Sequence, residues 1–342
     1  MKLPLKLNRN SDTYWTLNKA LSYDPHLIMV AAPRGIGKTT QGSFECLGAY
    51  QNAGRFVYMR RYTTELDEWA SKDGFSNVLD GVYYKNHKGI YTYFFEGQVM
   101  GYGIPLSKYR TAKSVNYSTV SRIIYDEVFC KPNGTYHYLK NEVEAFLEFL
   151  STVERTRPGN SVRAILLGNN EDLFNPYFEY FKIPPFDKYY YDKDRGLYCE
   201  APLPSEKLKA LEEKTGLYKL TKGTDYFNYH YNNALLGSTT KEIIEKPPQA
   251  KYFCRCCLNE TTLSIYTYYK DGVQMLWCES KEKLIVDAQT YIIKMNNNWN
   301  YYYAQLFKAK LKNWIYRFYY NKLVTYSSDK AGDMMAWLME TI

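Results

Sequence analysis

An α/β fold with a central, mostly parallel sheet is predicted by three observations. Short, uninterrupted apolar runs recur along the first half of the chain, as strands buried on both faces require. Segments with apolar residues at helical spacing alternate with them. The first run, "HLIMVAA" (26–32), leads straight into "PRGIGKTT" (33–40), a glycine-containing loop of the kind that joins a strand to a helix around a phosphate.

Each element follows from its own pattern. After the first strand, the stretch from Lys38 through "GSFECLGAY" reads as a helix that ends near Gly54. "RFVYMRR" (55–61) is a second strand and "TTELDEWA" a polar, helix-compatible segment. Residues 82–103 break the alternation: "NHKG" and "EGQ" turns between short alternating runs predict an antiparallel meander. "SRIIYDEVF" (121–129) is a buried strand ending in two acids, "NEVEAFLEFLSTVERT" (141–156) a helix, and "VRAILLGNN" (162–170) a further strand. Beyond about residue 195 the sequence becomes polar and tyrosine-rich. There "APLPSEKLKALEEKTG" holds a short charged helix with Ser205 as its N-cap, and "EKPPQ" marks a boundary. Residues 250–342 read as a compact module with strands at 251–258, 262–269 and 273–278, then helical sequence from about 298.

Composition narrows the class. With 342 residues the chain has room for one large domain or two to three smaller ones, and 45% apolar residues suffice for a sizeable core. The formal net charge of +8 favours a polyanionic partner. No stretch of about 20 apolar residues marks a membrane span and no signal-peptide pattern opens the chain, so the expectation is a soluble intracellular protein with no membrane partner. Seven cysteines, an odd number, then imply reduced thiols. Cys254, Cys256, Cys257 and Cys278 lack the paired spacing of a zinc site, and alternation along a strand explains the cluster more simply.

A P-loop needs backbone N–H groups aimed at the β-phosphate, a lysine on the β/γ oxygens and a hydroxyl on Mg²⁺. Gly35 and Gly37 permit the tight backbone, Lys38 supplies the cation and Thr39 the metal ligand, with Ala32, Arg34 and Thr40 completing the expected ATP-binding loop. Ala32 departs from the pattern, because it stands where the first glycine is expected. Arg34 is unusual inside such a loop and is read either as a phosphate ligand or as a partner for Glu127. Asp126, closing a hydrophobic strand, is expected to help hold Mg²⁺, and Glu127 to polarise the attacking water. Asn169, at the end of the next strand, is read as a γ-phosphate sensor. Arg155 and Arg157, between a helix and a proline-glycine turn, lie on a rim from which a guanidinium could reach a neighbouring subunit's nucleotide.

In order, "ALSYDP", "PRGIGKTT", "YMRRYTTEL", "GYGIPLS", "IIYDEVF", "NEVEAFLEFLSTVERTR" and "NPYF" resemble the DNA-packaging motor ATPases of phi-29-like small tailed phages. The similarity is specific over about residues 19–182 and looser to the end. The resemblance implies an additional-strand P-loop ATPase domain (1–195), a small linker domain (196–248) and a vestigial RNase H-like nuclease domain (249–342). It implies a pentameric ring of identical subunits that drives double-stranded DNA through the portal of a prohead at the expense of ATP. That places the protein in the host cytoplasm, transiently at the portal vertex, and leaves a structural packaging RNA open. It also implies that Arg155 is an arginine finger acting in trans, that Lys113 acts on the neighbour's nucleotide, and that Lys38, Thr39, Asp126 and Glu127 are the nucleotide machinery. The alternatives are a terminase-like motor with an active nuclease and a cellular DNA helicase or pump. A two-metal nuclease needs an acid on its first strand, and "KYFCRCCL" has none, so the last module is read as non-cleaving despite Asp287, Asp329 and Asp333. Lys308 and Lys312, opposite Leu306, Phe307, Leu311 and Trp314, read as a solvated helix face, with a nucleic-acid or portal-docking surface as the alternative.

Overall fold

The computed structural model of the chain describes residues 3–8, 11–72, 74–113, 115–130, 137–155, 157, 162–169, 175–183, 186, 188–224, 227, 242–258, 260–295, 298–321 and 323–341. They fall into two compact units, one within residues 1–234 and one within 235–342.

The first unit opens with α1 (Asn18–Ser22) and the P-loop strand β1 (Leu27–Ala32), buried along its whole length. There follow α2 (Lys38–Gln51), β2 (Arg55–Arg60) and α3 (Thr63–Lys72), the last started by Glu65, whose carboxylate accepts from Tyr62 N at 2.7 Å. The expected meander is β3 (Tyr83–His87), β4 (Ile90–Phe95) and β5 (Gln98–Pro105). After α4 (Tyr109–Ala112) come β6 (Val120–Asp126), α5 (Glu142–Glu154), β7 (Arg163–Asn169) and α6 (Pro176–Tyr180). A hairpin of β8 (Tyr189–Asp192) and β9 (Leu197–Glu200) leads to α7 (Glu206–Glu212) and α8 (Gly216–Thr221).

The sheet order is β3-β4-β5-β2-β6-β7-β1-β9-β8. From β5 to β9 every neighbour is parallel, and antiparallel strands stand only at the two ends. One extra strand, β7, separates the P-loop strand β1 from β6, which ends in Asp126. The connections β1–α2–β2 and β6–α5–β7 cross the sheet in opposite directions, so right-handed crossovers put α2 and α5 on opposite faces. The core under α2 and α3 gathers Phe44, Leu47, Phe56, Tyr58, Phe75, Tyr91 and Tyr93.

The hairpin β8–β9 carries the first unit past residue 195, the expected domain limit, because β9 pairs with β1. Ser205 caps α7 as expected, accepting from Leu208 N at 3.1 Å, and its hydroxyl donates to the Thr13 carbonyl at 2.5 Å. Residues after 195 are thus bonded into the first unit.

The second unit contains β10 (Glu242–Ile243), the meander β11 (Lys251–Leu258), β12 (Thr261–Lys270) and β13 (Val273–Lys281), then β14 (Thr290–Met295) and β15 (Asn298–Trp299). Helix α9 (Tyr301–Phe307) passes through one wide turn (Lys308–Lys312) into α10 (Asn313–Tyr320), followed by β16 (Val324–Tyr326) and α11 (Asp329–Thr341). Its sheet runs β10-β16-β13-β12-β11-β14-β15. Cys254, Cys256 and Cys278 lie in its core beside Phe307, Ile315 and Met335, with Leu311 and Trp314 packed against them. Among the described residues, no group of three or more His, Cys, Asp or Glu is placed to hold a metal ion.

Candidate active site

Strand ends set the site. In parallel α/β sheets ligands bind at the carboxyl edge, where strands hand over to loops. Ala32 and Asn169 are ladder partners there, and Asp126 ends β6 on the far side of β7. Ala32 is fully buried, extended strand. The turn itself is made by Gly35 (φ +79°) and Gly37 (φ +101°), left-handed conformations that favour glycine. Gly37 is also the N-cap of α2, so the loop's N–H groups lead into the helix N-terminus that an anion would meet.

Lys38 is buried, and its Nζ donates to the Ala32 and Pro33 carbonyls at 2.8 and 2.6 Å. Thr39 Oγ1 donates to Asp126 Oδ2 at 2.9 Å, which joins the P-loop hydroxyl to the acid of β6. The same oxygen accepts from Tyr58 OH at 2.8 Å and Arg60 Nη2 at 2.9 Å. Arg60 Nη1 lies 2.8 Å from Glu127 Oε2, so one guanidinium holds both acids. Burial works against that charge, and Tyr58, Asp126 and Glu127 more than offset it, leaving the Arg60 pKa above its usual value. Glu127 has φ +57° with its side chain more than half exposed, aimed outward from the strand end. Of the two readings of Arg34, as a phosphate ligand or as a partner for Glu127, the second role is taken by Arg60, on the strand adjacent to β6. Arg34 is exposed on the loop, and Thr40 is half-buried in the first turn of α2.

A second buried ion pair supports this turn. Arg61 Nε and Nη2 bind Glu142 at 2.7 and 3.0 Å, and Nη2 also donates to the Val128 carbonyl at 2.5 Å. Glu142 further accepts from Tyr125 OH, Tyr177 OH and Leu139 N at 3.0, 3.1 and 2.8 Å. The chain after Glu127 is thereby pinned to the start of α5. Sequence reasoning missed Arg60, Arg61 and Glu142. Two arginines closing the apolar strand "RFVYMRR" were the signal, since burial demands partners for them. It also missed the segment before α1, where Trp15 N donates to the Ile36 carbonyl at 3.1 Å and Leu17 N to Gln41 at 3.3 Å.

The two remaining cations stand elsewhere. Arg157 donates to the Ser118 and Val120 carbonyls at 3.2 and 2.7 Å, which ties it to the amino end of β6. Arg155, at the C-cap of α5, is exposed, and its Nε donates to the Thr152 carbonyl at 3.2 Å. Because β6 rises about 3.3 Å per residue over its length, this rim is roughly 20 Å from Asp126. Lys113 pairs with Glu148 of α5 at 3.2 Å, two turns before Arg155 on the same helix. The structure thus brings Ala32, Gly35, Gly37, Lys38, Thr39, Asp126, Glu127 and Asn169 to one edge, and leaves Arg155 and Lys113 away from it.

A P-loop, an acid pair one strand removed and an inserted strand carrying an asparagine define an additional-strand P-loop ATPase. A family model described as Podovirus DNA encapsidation protein (Gp16) matches residues 10–324, and the chain belongs to that family of phage DNA-packaging proteins. It is 30% identical over 268 residues to the DNA packaging protein of Bacillus phage phi29, covering 77% of this chain and 78% of that one. Identity to the corresponding protein of Bacillus phage PZA is 30% over 265 residues, 76% and 77% of the two chains. The fold matches the phi-29 viral genome packaging motor assembly with a TM-score of 0.61 at 22% identity, over 96% of this chain and 99% of the other. It matches the Phi-28 gp11 DNA packaging motor at 0.56 and 20%, over 96% and 97%.

Proposed function

We propose that this packaging ATPase hydrolyses ATP at sites shared between adjacent subunits of a ring, a homopentamer on the portal of a prohead, and drives double-stranded viral DNA inward. The observation that carries the reading is the division of the chemistry: phosphate loop and acids at the carboxyl edge, Arg155 at the amino rim. Arg155 stands roughly 20 Å from its own subunit's Asp126, so in this reading it serves a neighbour's nucleotide.

In this reading the Gly35–Gly37 backbone and Lys38 bind the β- and γ-phosphates, and Arg34 and Thr40 line the loop. Thr39 Oγ1 and Asp126 Oδ2, already in contact, are the pair that would hold Mg²⁺, and their oxygen donors suit a hard cation. When bound, the metal would supply charge neutralisation at the transferring phosphate. Glu127, exposed at the strand end, orients the attacking water and takes its proton, while Arg60 fixes where its carboxylate stands. Asn169, laddered to Ala32, reports on the γ-phosphate. Arg155 and Lys113 of the adjacent subunit stabilise charge on the transferring phosphoryl group.

The second unit is read as a vestigial RNase H-like module without cleavage activity. The strand order β13-β12-β11-β14 supports the fold. Asp287 is engaged by Arg255, which ion-pairs with it, and by Tyr252 OH at 2.9 Å, which supports a structural role for that acid.

The test is ATPase and packaging activity of Glu127→Gln and Arg155→Ala, alone and mixed. Each variant alone should lose turnover, about 10³-fold or more for a missing arginine finger. Mixed, they should regain part of it, because some interfaces then pair an intact Glu127 with an intact Arg155. No recovery at any ratio would remove the shared-site reading, and normal turnover in Glu127→Gln would remove the catalytic assignment.

A further inference from the structure

The charge of the chain is concentrated where the catalytic reading does not use it. Between residues 81 and 125 stand six basic residues, Lys85, Lys88, Lys108, Arg110, Lys113 and Arg122, against one acid, Glu96. That net of +5 is most of the chain's +8. Lys85 and Lys88 are exposed on the β3–β4 hairpin, and Lys108, from the turn after β5, reaches it: its Nζ donates to the Lys88 carbonyl at 2.9 Å. None of the three makes an ion pair among the described residues. On the same hairpin Tyr83 stacks on Phe94 with centroids 5.1 Å apart, and Lys85 Nζ lies 5.5 Å from the Phe94 ring.

We propose that this hairpin tip, with Lys85, Lys88 and Lys108, is a contact surface for the phosphate backbone of duplex DNA; the assignment rests on the translocase reading above. Three unpaired ammonium groups on a rigid two-strand scaffold fit a polyanion of regular phosphate spacing, and lysine point charges read no sequence. The register gives the surface a mechanical link to the nucleotide. His87 pairs with Ile90, and Tyr91 with Gly103, so the tip projects at the carboxyl edge, the edge of Lys38 and Asp126. Pro105 is the ladder partner of Arg60, and Ser107 N donates to the Arg61 carbonyl at 2.9 Å. Lys108 is therefore one residue from a backbone bond to the segment whose side chains grip Asp126, Glu127 and Glu142.

The experiment compares the full-length protein with K85Q/K88Q/K108Q for binding to a fluorescent duplex of arbitrary sequence across a salt series. Each lost phosphate contact lowers the slope of log K against log salt by about 0.9. The triple variant should bind more weakly at low salt with a slope shallower by up to roughly 2.7, so the parent loses about 40-fold more affinity than the variant between about 50 and 200 mM salt. Its basal ATPase and melting temperature should match the parent, and K85R/K88R/K108R should bind like the parent. A control, K207Q/K209Q/K214Q, should leave the slope unchanged. Parent-like affinity and slope in the triple variant, or an equal loss in the control, overturns the surface. A parent that binds no duplex at all overturns the translocase reading instead, so the two failures are distinguishable.

Discussion

At the residue scale, the site rests on buried charges that hold one another, and removing one partner strands the other. Glu142 shows this most clearly, since it holds Arg61 by two bonds and accepts from two tyrosines and a backbone N–H as well. Glu142→Ala should cost about 3–5 kcal/mol, the usual penalty for breaking a buried pair, measured as a lower urea midpoint. Glu200 is the contrasting case. Buried at the end of β9, its carboxyl pKa is pushed up by burial, and Lys19, Trp15 and Tyr198 pull it back only in part. A carboxyl whose pKa is raised on folding binds more protons in the folded state. Its contribution is therefore fully present below the unfolded value near 4.5 and is lost as pH rises through the raised folded value. Glu200→Gln should accordingly raise the melting temperature at neutral pH, and the gain should shrink to nothing as pH falls to about 4. An equal gain at both pH values would contradict the burial argument.

At the scale of elements, what was legible was whatever a local pattern dictates. The apolar runs gave β1, β6 and β7, and Ser205 announced α7. The P-loop and the Asp126–Glu127 pair could be read because their spacing is set by one strand end and one turn. Arg60 could not, because its role depends on β2 lying beside β6, a pairing of strands some sixty residues apart that no local signal encodes. The β8–β9 hairpin was missed for a related reason. Strand β8 is tyrosine-rich and mostly half-buried, β9 is only four residues long, and only pairing with β1 makes the hairpin part of the sheet. Ala32 marks the opposite outcome, an apparent defect that topology dissolves. It belongs to the strand rather than the turn, where the positive φ falls on Gly35 and Gly37. Restoring the expected glycine should therefore bring no gain: Ala32→Gly should destabilise the protein by about 0.5–1 kcal/mol with turnover unimproved. Gly37→Ala, forced into φ +101°, should lose nucleotide binding, measured by titration with a fluorescent ATP analogue.

At the scale of the whole molecule, the sheet separates the groups that the proposed shared site would combine. Phosphate loop, acids and asparagine occupy its carboxyl edge; Arg155 occupies the amino rim, with Arg157 bonded to backbone beside it and Lys113 paired to the same helix. If the site is shared as proposed, a single subunit is an incomplete enzyme and its turnover depends on assembly. ATP hydrolysis per chain should rise with protein concentration and level off where association is complete. Sedimentation velocity on the same samples should show assembly and turnover rising together. Arg155→Ala should assemble alike yet stay slow throughout, since its interfaces form without their guanidinium. Lys113→Ala should fall between the two, because loss of one cation leaves the arginine in place. A monomer that hydrolyses ATP at the assembled rate would show that each chain completes its own site, and the amino rim would then need another purpose.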